Sequence, residues 1–367
     1  MSELRVDTIS ENTSGSGTTV SNLKNPNQPF RNLIINGDMK ISQRTTSTSG
    51  VSTTGNFILD RWKCNVDFLG AFTISQSTDV PTGQGFSNSM KWDCTTADAS
   101  PAAGDNMTFQ QRFEGQNLQM LKKGTSSAEK TTLSFWVKSN KTGTYVVELR
   151  DKDNSNRVIS KTYTISSSDT WEKKTVTFDG DTTGTLTNDN SDSLDLNFWL
   201  GAGSTFSSGS LQTSWGSSTS ANRAVGQVNL ADSTSNEWYI TGVQLEVGET
   251  ATDFEHLPHD VQLQRCQRYF QTYVDPPLRG VINAANSVQR AAMILPVEMA
   301  KTPAASVGAH GLFDGTQASF LNGVTTSYLN SKAVEFDMTC ANSVMTVGRA
   351  GIIFNGGNAT FTLDAEL

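Results

Sequence analysis

The stretch "LDLNFWL", residues 194 to 200, alternates apolar and polar side chains over most of its length. Successive side chains of a β-strand point to opposite faces of its sheet. One face of this strand therefore receives Leu194, Leu196, Phe198 and Leu200. Its other face receives Asp195, Asn197 and Trp199. A strand with one apolar and one polar face is typical of an antiparallel sheet that covers a core on one side only.

The same alternation recurs along the chain, as in "LSFWV" (133 to 137) and "YVVEL" (145 to 149). "MTFQQRF" (107 to 113) and "VQLEV" (243 to 247) add further strand signals, and the segments between them are rich in Gly, Asn, Asp and Ser. Many short strands joined by polar turns predict an all-β protein whose main part is an antiparallel jelly-roll sandwich.

The segment "RNLIINGDMKISQR", residues 31 to 44, contains the hairpin signal Asn-Gly in an apolar run. A two-residue hairpin would mix apolar and charged side chains on one face, because Ile35 would lie opposite Asp38. A strand that continues with a bend at Gly37 is the better interpretation. Its apolar face would carry Leu33, Ile35, Met39 and Ile41.

A chain of 367 residues is too long for one ordinary domain. Residues 257 to 275 are predicted to form a connecting helix, because Pro258 opens an apolar pattern that "DPP" (275 to 277) ends. Four segments follow from this: an N-terminal segment (1 to 29), the jelly-roll (30 to 256), the helix, and a second β-sandwich (276 to 367) built from strands such as "AVEFDM" and "ATFTLDAEL".

Charge and hydropathy narrow the possible partners. The net charge is −8 and the basic residues are scattered, so nucleic acid is an unpromising partner. No apolar run approaches the ~18 residues that span a bilayer, and the chain does not open with a signal-peptide pattern, so we expect synthesis in a cytoplasm and no membrane insertion. The four cysteines are far apart and are expected to be reduced thiols without a metal or redox role: Cys64, Cys94, Cys266 and Cys340.

Residues 1 to 29 carry too little apolar surface to fold alone. Their one alternating stretch, "LRVDTI", places Leu4, Val6 and Ile9 where they could dock to another protein. This segment is either flexible or fixed by pairing with other chains, and its position makes it a candidate attachment tail.

Several motifs resemble a family of bacteriophage tail-fibre and tailspike-associated proteins. They are "RNLIINGDMKISQR", "LDRW" (59 to 62), "ITGVQLEVGETATDFE" (240 to 255) and "CQRYF" (266 to 270), and together they span most of residues 30 to 274. "PVEMAKTP" (296 to 303) with the final "LDAEL" is similar to the distal domain that follows in such chains, and "LRVDTI" is similar to virion-attachment starts in fibres of phages of marine bacteria. Leu257 and Ala300 depart from the pattern, since relatives often have arginine at both positions.

The resemblance implies a virion appendage. Its N-terminus would dock to phage tail or adaptor proteins, its jelly-roll would be similar to carbohydrate-binding modules, and its tip would contact the host surface. The resemblance also implies a homotrimer, in which weak glycan contacts repeated by symmetry add up to firm adsorption.

Three tryptophans are candidate glycan contacts. Trp136 and Trp199 alternate outward with polar neighbours, and Trp215 lies in the long Gly/Ser-rich loop from Ala202 to Asn222. An exposed indole ring is a platform for a sugar ring. The alternative for each is that a loop, another domain or a neighbouring subunit covers it. Trp92 shares its phase with Met90 and Cys94 and is expected in the core.

Metal sites are the weaker interpretation of the polar clusters. His256, His259 and Asp260 in "HLPHD" fit no standard ligand spacing, and Asp260 suits the first turn of a helix. "DKDNSN" (151 to 156) and "NDNSD" (188 to 192) have oxygen ligands that suit calcium, but such clusters are also ordinary turn chemistry. We therefore expect no cofactor, with a structural calcium ion left open.

The chain lacks the sequence signs of an enzyme. A glycan-cleaving tailspike needs two carboxylates held across a groove, usually on a β-helix, and this chain has no β-helix repeat, nucleophile elbow, phosphate loop or zinc-protease motif. The sequence predicts a non-enzymatic tail fibre of the virion that attaches to host glycans. A structural adaptor or decoration protein of the virion and a glycan-hydrolysing tailspike are the two alternatives.

Overall fold

The computed structural model describes residues 29–274, 279–284, 287–307, 311–313, 316, 318–340, 345–354 and 360–367. Antiparallel strands dominate these residues, so the predicted all-β class is confirmed. The candidate docking residues Leu4, Val6 and Ile9 lie outside the described part of the chain. Within that part, no helix is long and apolar enough to cross a bilayer.

Two antiparallel sheets form the larger part of the molecule. Their strands are β1 (Ser47–Val51), β2 (Asn56–Phe57), β3 (Lys63–Asp67), β4 (Ala71–Ser77), β5 (Ser89–Thr96), β6 (Asn106–Glu114), β7 (Thr131–Ser139), β8 (Gly143–Asp151), β9 (Arg157–Ile165), β10 (Glu172–Phe178), β11 (Asp192–Ala202), β12 (Gly216–Ser217) and β13 (Glu237–Val247). The six-stranded sheet has the order β1-β4-β5-β13-β7-β10, and the seven-stranded sheet has the order β12-β9-β8-β11-β6-β3-β2.

The apolar faces of the two sheets meet in one core. Phe135 of β7 and Phe198 of β11 are both fully buried there, with ring centroids 5.1 Å apart in an edge-to-face arrangement. Trp92 is also buried in this core, as its phase predicted. The alternation of "LSFWV" and "LDLNFWL" therefore gives the predicted sandwich, with the polar side of each strand on its outside.

The segment from residue 31 to residue 44 is neither a straight strand nor a two-residue hairpin. A tight turn forms at Asn36, whose φ is 59° and whose carbonyl accepts a hydrogen bond from the amide of Met39 (3.2 Å). The predicted apolar face is wrong, because the turn separates its members. Met39 packs into the sandwich core, whereas Ile35 and Ile41 belong to a second cluster with Cys266.

The connecting helix is shorter than predicted. A one-turn helix, α1 (Ser204–Ser207), lies in the loop after β11, and α2 (His259–Gln267) follows the sandwich. Beyond α2 the chain becomes β14 (Phe270–Val274) rather than continuing as a helix to residue 275. The apolar residues of this stretch suit either structure, and pairing of Phe270 with Asp364 at the far end of the chain decides for a strand.

The C-terminal part contains two further sheets. Its strands are β15 (Arg279–Ala284), β16 (Ser287–Ile294), β17 (Ala304–Val307), β18 (Gly311–Phe313), β19 (Ala318–Leu329), β20 (Ala333–Cys340), β21 (Ala350–Phe354) and β22 (Thr360–Asp364). A three-stranded sheet has the order β14-β22-β17, and the strands β15-β16-β20-β19-β18-β21 form a sheet that closes on itself. The expected two-sheet sandwich is therefore replaced by a closed sheet. Alternation within one strand does not distinguish the two, since both have one inward face.

A polar junction joins the sandwich to the C-terminal part. The carboxylate of Glu114, fully buried on β6, accepts hydrogen bonds from Arg268 Nε (2.7 Å), Arg268 Nη2 (2.7 Å) and the Tyr269 hydroxyl (2.6 Å). Burial by itself would raise the pKa of Glu114, but these hydrogen bonds outweigh it and lower the pKa. Arg61 pairs with Glu366, and its guanidinium lies 3.4 Å from the centroid of the Tyr269 ring.

Candidate functional site

The outer face of the seven-stranded sheet carries a row of polar side chains across four adjacent strands. Lys63 of β3 lies opposite Gln110 of β6, Gln110 lies opposite Asn197 of β11, and Asn197 lies opposite Glu148 of β8. Side chains opposite one another in a sheet lie about 5 Å apart, so the row is continuous. It follows from the polar phase of "LDLNFWL" and of its neighbouring strands.

Hydrogen bonds fix this row in place. Gln110 Nε2 donates to Asn197 Oδ1 (2.8 Å), and Asn197 Nδ2 donates to Glu148 Oε1 (3.2 Å). Glu148, which is fully buried, also accepts two hydrogen bonds from Arg223, from Nε (2.8 Å) and from Nη2 (2.6 Å). Chains of this kind hold amide and charged groups at set positions, which is the preorganisation that a polar ligand needs.

A loop closes one end of the row and turns it into a cleft. The loop after β11 brings Phe206, from α1, and Arg223 onto Trp199, with a ring-centroid separation of 5.5 Å for Phe206 and a guanidinium-to-centroid distance of 5.0 Å for Arg223. The cleft has a volume of about 260 Å³. It is lined by Thr54, Lys63, Asn65, Asn106, Thr108, Gln110, Arg112, Arg150, Asn197, Trp199, Phe206 and Arg223.

Two carboxyl groups lie beside the cleft on β11. Arg112 Nη1 lies 3.5 Å from Asp192 Oδ2, and Arg112 Nε lies 3.7 Å from Asp195 Oδ1. Burial, together with the nearby charge of Asp195, raises the pKa of Asp192 to about 7, against the smaller opposing effects of Arg112 and Lys152. Neither aspartate is among the described residues that line the cleft.

Lys63 is the cation of the cleft whose charge is least compensated. Its pKa is lowered, mainly by burial and next by the positive charge of Arg112, although Asp195 and Asp192 oppose the shift. Arg223 differs from it, since the hydrogen bonds and charge of Glu148 raise its pKa against the effect of burial. The cleft therefore combines fixed amide and hydroxyl groups with cations held close to its floor.

The three candidate tryptophans lie in three different places in the structure. Trp199 lines the cleft but is only 1% exposed, because Phe206 and Arg223 cover its ring. Its outward phase is as predicted, but an open ring face is not available, so the covered alternative holds for this residue. Trp136 is half-buried on the outer face of the six-stranded sheet, on the opposite side of the sandwich.

Trp215 is held against the protein rather than standing free in its loop. Its ring packs against the sandwich core, its Nε1 donates to the carbonyl of Asp179 (2.6 Å), and Lys123 Nζ lies 5.5 Å from its ring centroid. Trp215 is therefore half-buried in its loop rather than freely exposed, because a hydrogen bond and a cation–π contact fix the ring. None of the three tryptophans has been tested as a glycan contact.

Sequence reasoning missed several residues of the cleft and one aromatic cluster. Phe206 and Arg223 lie in the low-complexity loop, and no periodicity indicates that they fold over β11. On the six-stranded sheet, Lys138 Nζ lies 4.3 Å from the centroid of the Tyr239 ring, and Trp171 Nε1 donates to Asp79 Oδ1 (2.9 Å). The single signal for Trp171 was its position directly before the strand "EKKTVTF".

The polar clusters considered as metal sites serve as turn and packing groups. Asp151 Oδ1 accepts hydrogen bonds from the amides of Asp153 (2.9 Å) and Asn154 (3.1 Å), and Asp189 Oδ1 accepts one from the amide of Ser191 (2.9 Å). His256 packs against Phe86 and Phe254. Among the described residues, no group of three or more His, Cys, Asp or Glu side chains is placed to hold a metal ion. A structural calcium ion stays an open alternative that nothing here tests.

A second cavity, of about 480 Å³, lies at the junction. Phe30 and Met120 line it and are 59% and 49% exposed, and its charged residues include the paired Glu114 and Arg268. Cys64, Cys94 and Cys266 are buried free thiols, as the sequence predicts. The cleft on the seven-stranded sheet is the better candidate site, because its polar groups come from four strands and face one space.

Comparison with known proteins gives only distant likenesses. No protein-family model matches the chain, and no curated protein matches it. Among solved structures, the enzymatically active domain of bacteriophage CBA120 tailspike protein 4 is 16% identical with a TM-score of 0.31, and the match covers 60% of this chain and 22% of that chain.

Two further structures give similar values. A putative sugar binding protein from Bacteroides thetaiotaomicron is 15% identical with a TM-score of 0.33, covering 59% of this chain and 99% of that chain. The N-terminal cellulose-binding domain of Cellulomonas fimi β-1,4-glucanase C is 11% identical with a TM-score of 0.29, covering 52% and 90%. These scores are too low to transfer a function from any of the three proteins.

Proposed function

We propose that this chain is a virion appendage of a bacteriophage, a tail fibre that attaches to the host cell surface by binding glycan. The observation that carries the proposal is the cleft on the seven-stranded sheet, in which Gln110, Asn197 and Thr108 hold hydrogen-bonding groups at fixed positions beside the ring of Phe206, which covers Trp199. Sugars offer many hydroxyl groups that both donate and accept, and a groove with fixed amides can pair with them at low entropic cost. The phage assignment is supported by the motif resemblance.

The cleft suits weak recognition rather than tight capture. Its volume of about 260 Å³ lies near the lower end of small-molecule sites, so it holds about one or two sugar rings. Firm adsorption then requires several copies. A homotrimer on the virion would supply them through effective concentration, with the N-terminus docked to a tail or adaptor protein.

Binding to a glycan array tests the recognition part of the proposal. The wild-type chain is expected to bind a subset of bacterial surface glycans. Asn197→Ala is expected to weaken that binding about tenfold or more, because it removes the Asn197 amide and leaves Gln110 and Glu148 each without one hydrogen-bond partner. Gln84→Ala is the matched control, since Gln84 is exposed and does not line the cleft. Equal binding by all three proteins, or binding by none, would contradict the proposal.

The mass of the purified chain in solution tests the assembly. Light scattering is expected to give three times 39.7 kDa. A stable monomer would instead favour the structural adaptor, which gains its symmetry only from the particle.

The glycan-hydrolase alternative has no specific support in the cleft, because the described lining contains no carboxylate. Release of reducing ends from a bound glycan would overturn the non-enzymatic proposal.

A further inference from the structure

The charged residues that line the described cleft are all cations. They are Lys63, Arg112, Arg150 and Arg223. The chain as a whole has 28 basic and 36 acidic residues, so a lining without any carboxylate is opposite in sign to the rest of the molecule. A site of one sign attracts a ligand of the other sign and rejects ligands of its own.

The three arginines are anchored from below by buried carboxylates. Arg150 Nε donates to Asp195 Oδ2 (3.0 Å), and Asp195 is fully buried under the sheet surface. Arg223 makes its two bonds to Glu148, and Arg112 contacts Asp195 as well. These pairs hold the guanidinium groups in position and cancel much of their charge.

Lys63 has no such anchor. Its Nζ makes no ion pair or hydrogen bond with the described residues, although Asp195 and Asp192 act on it at longer range. Burial and the neighbouring Arg112 make its charged form costly and lower its pKa. An anion in the cleft would remove that cost, so Lys63 is the residue in this lining that gains most from a negatively charged ligand.

We propose that the cleft binds an acidic saccharide, with the carboxylate of a sugar ring placed at Lys63 and the ring hydroxyls at the amides and hydroxyls of the neighbouring strands. This inference rests on the proposed function, which it narrows from glycans in general to carboxylated ones. The ligand pairs with Lys63 directly, and the three paired arginines hold their guanidinium groups at fixed positions around it.

The test uses matched acidic and neutral oligosaccharides of equal length. Uronate oligomers are compared with their methyl esters, and sialylated oligosaccharides with the methyl esters of their sialic acid carboxyl groups, by titration calorimetry of the full chain. The acidic member of a pair is expected to bind at least about tenfold more tightly, since a hydrogen bond to a charged group is stronger than one to a neutral group. Added salt is expected to reduce the difference.

Three variants assign the effect to Lys63. Lys63→Gln is expected to lose most of the preference for the acidic member, and Lys63→Arg is expected to keep it. Lys173→Gln is the control, because Lys173 is exposed on the six-stranded sheet, away from the cleft. Circular dichroism checks that each variant is folded.

The outcomes separate the two proposals. If Lys63→Gln loses the preference for the acidic oligosaccharide, the result supports both glycan recognition and the acidic-saccharide inference. Binding to neutral members without an acidic preference overturns this inference and leaves glycan recognition standing. An acidic preference that Lys63→Gln retains also overturns the inference, and binding to no member of the panel counts against both proposals.

Discussion

At the residue scale, Trp136 and Trp199 give the same sequence signal and have different surroundings. Both alternate outward from a strand whose other face is apolar. Trp199 is covered by Phe206 and Arg223, whereas Trp136 lies on the opposite sheet with part of its ring exposed. Phase along a strand decides which sheet face a side chain occupies, but the fold of the loop that follows the strand decides whether that face is covered.

The two tryptophans should therefore differ in their effect on stability. Trp199→Ala is expected to lower the free energy of unfolding by about 3 to 5 kcal/mol, because it leaves a cavity under the loop. Trp136→Ala is expected to cost about half as much or less, since its ring is partly solvated. Urea unfolding followed by circular dichroism measures both. Equal losses would show that Trp136 is covered in solution by another subunit or a loop.

Asp192 is expected to make stability depend on pH. Its pKa is raised from 3.8 to about 7, by burial first and by Asp195 second. Between these two pH values the folded state keeps a proton that the unfolded chain has lost, so the free energy of unfolding falls as pH rises through this window. The full shift corresponds to on the order of 4 kcal/mol.

Asp192→Asn should remove this loss. The variant is expected to gain stability relative to wild type when urea unfolding is repeated at about pH 8 instead of about pH 4.5. Asp253→Asn, at an exposed position, serves as the control. Parallel pH profiles for wild type and Asp192→Asn would contradict the assignment of the buried carboxyl pair.

At the element scale, the segment from residue 31 to residue 44 meets β13 through two backbone hydrogen bonds and turns at Asn36 between them. The amide of Leu33 donates to the carbonyl of Leu245 (2.9 Å), and the amide of Val243 donates to the carbonyl of Gly37 (2.9 Å). Between these two bonds the chain turns and sends Ile35 away from the core that contains Met39. The alternation of this segment therefore assigned to one face side chains that lie in two different clusters.

Gly37 is essential to this turn because the backbone of β13 leaves no room for a side chain at this position. A Cβ atom at this position would overlap the carbonyl oxygen of Val243, which is backbone and has little freedom to move. Gly37→Ala is expected to lower the free energy of unfolding by about 2 to 3 kcal/mol. Gly104→Ala, where a Cβ atom meets no atom within 4 Å, is expected to change it by about 0.5 kcal/mol or less. The melting temperatures of the two variants, measured by thermal unfolding, should differ. Equal melting temperatures would contradict this account.

At the scale of the whole molecule, the motifs that carried the resemblance meet at the junction. Arg61 belongs to "LDRW", Tyr269 and Arg268 belong to "CQRYF", and Glu366 belongs to the final "LDAEL". Arg61 pairs with Glu366 and stacks on Tyr269, while Arg268 pairs with Glu114. These motifs therefore fix how the sandwich is joined to the C-terminal part, and the candidate cleft is built from other residues.

Breaking the junction should uncouple the two parts. Glu114→Gln leaves the partly exposed Arg268 without its carboxylate partner, and losing a hydrogen bond between charged groups costs about 1.5 to 3 kcal/mol. Scanning calorimetry is expected to show a lower melting temperature and a separation of one transition into two. Lys332→Gln, which removes an exposed pair with Glu298, is the control and should leave the thermogram unchanged. An unaltered thermogram for Glu114→Gln would contradict the coupling.

The sequence by itself determined the all-β class, the two apolar strand faces that form the sandwich core, and the buried place of Trp92. These are local properties, because period-two alternation is fixed by the strand backbone and by burial of one face. It also determined one member of the polar row of the cleft, since Asn197 has the outward phase of "LDLNFWL".

Only the tertiary structure decided the closed sheet of the C-terminal part, the end of α2 at Gln267, and the loop that covers Trp199. Each depends on pairing between residues far apart in the chain, as when Phe270 pairs with Asp364 or Arg223 reaches Glu148. Contacts between distant segments also assembled the cationic lining around Lys63, to which β6 contributes Arg112, β8 contributes Arg150 and the loop after β11 contributes Arg223. A sequence pattern records which face of a strand is apolar, but the contacts that close a sheet or form a cleft are made between segments that no local period relates.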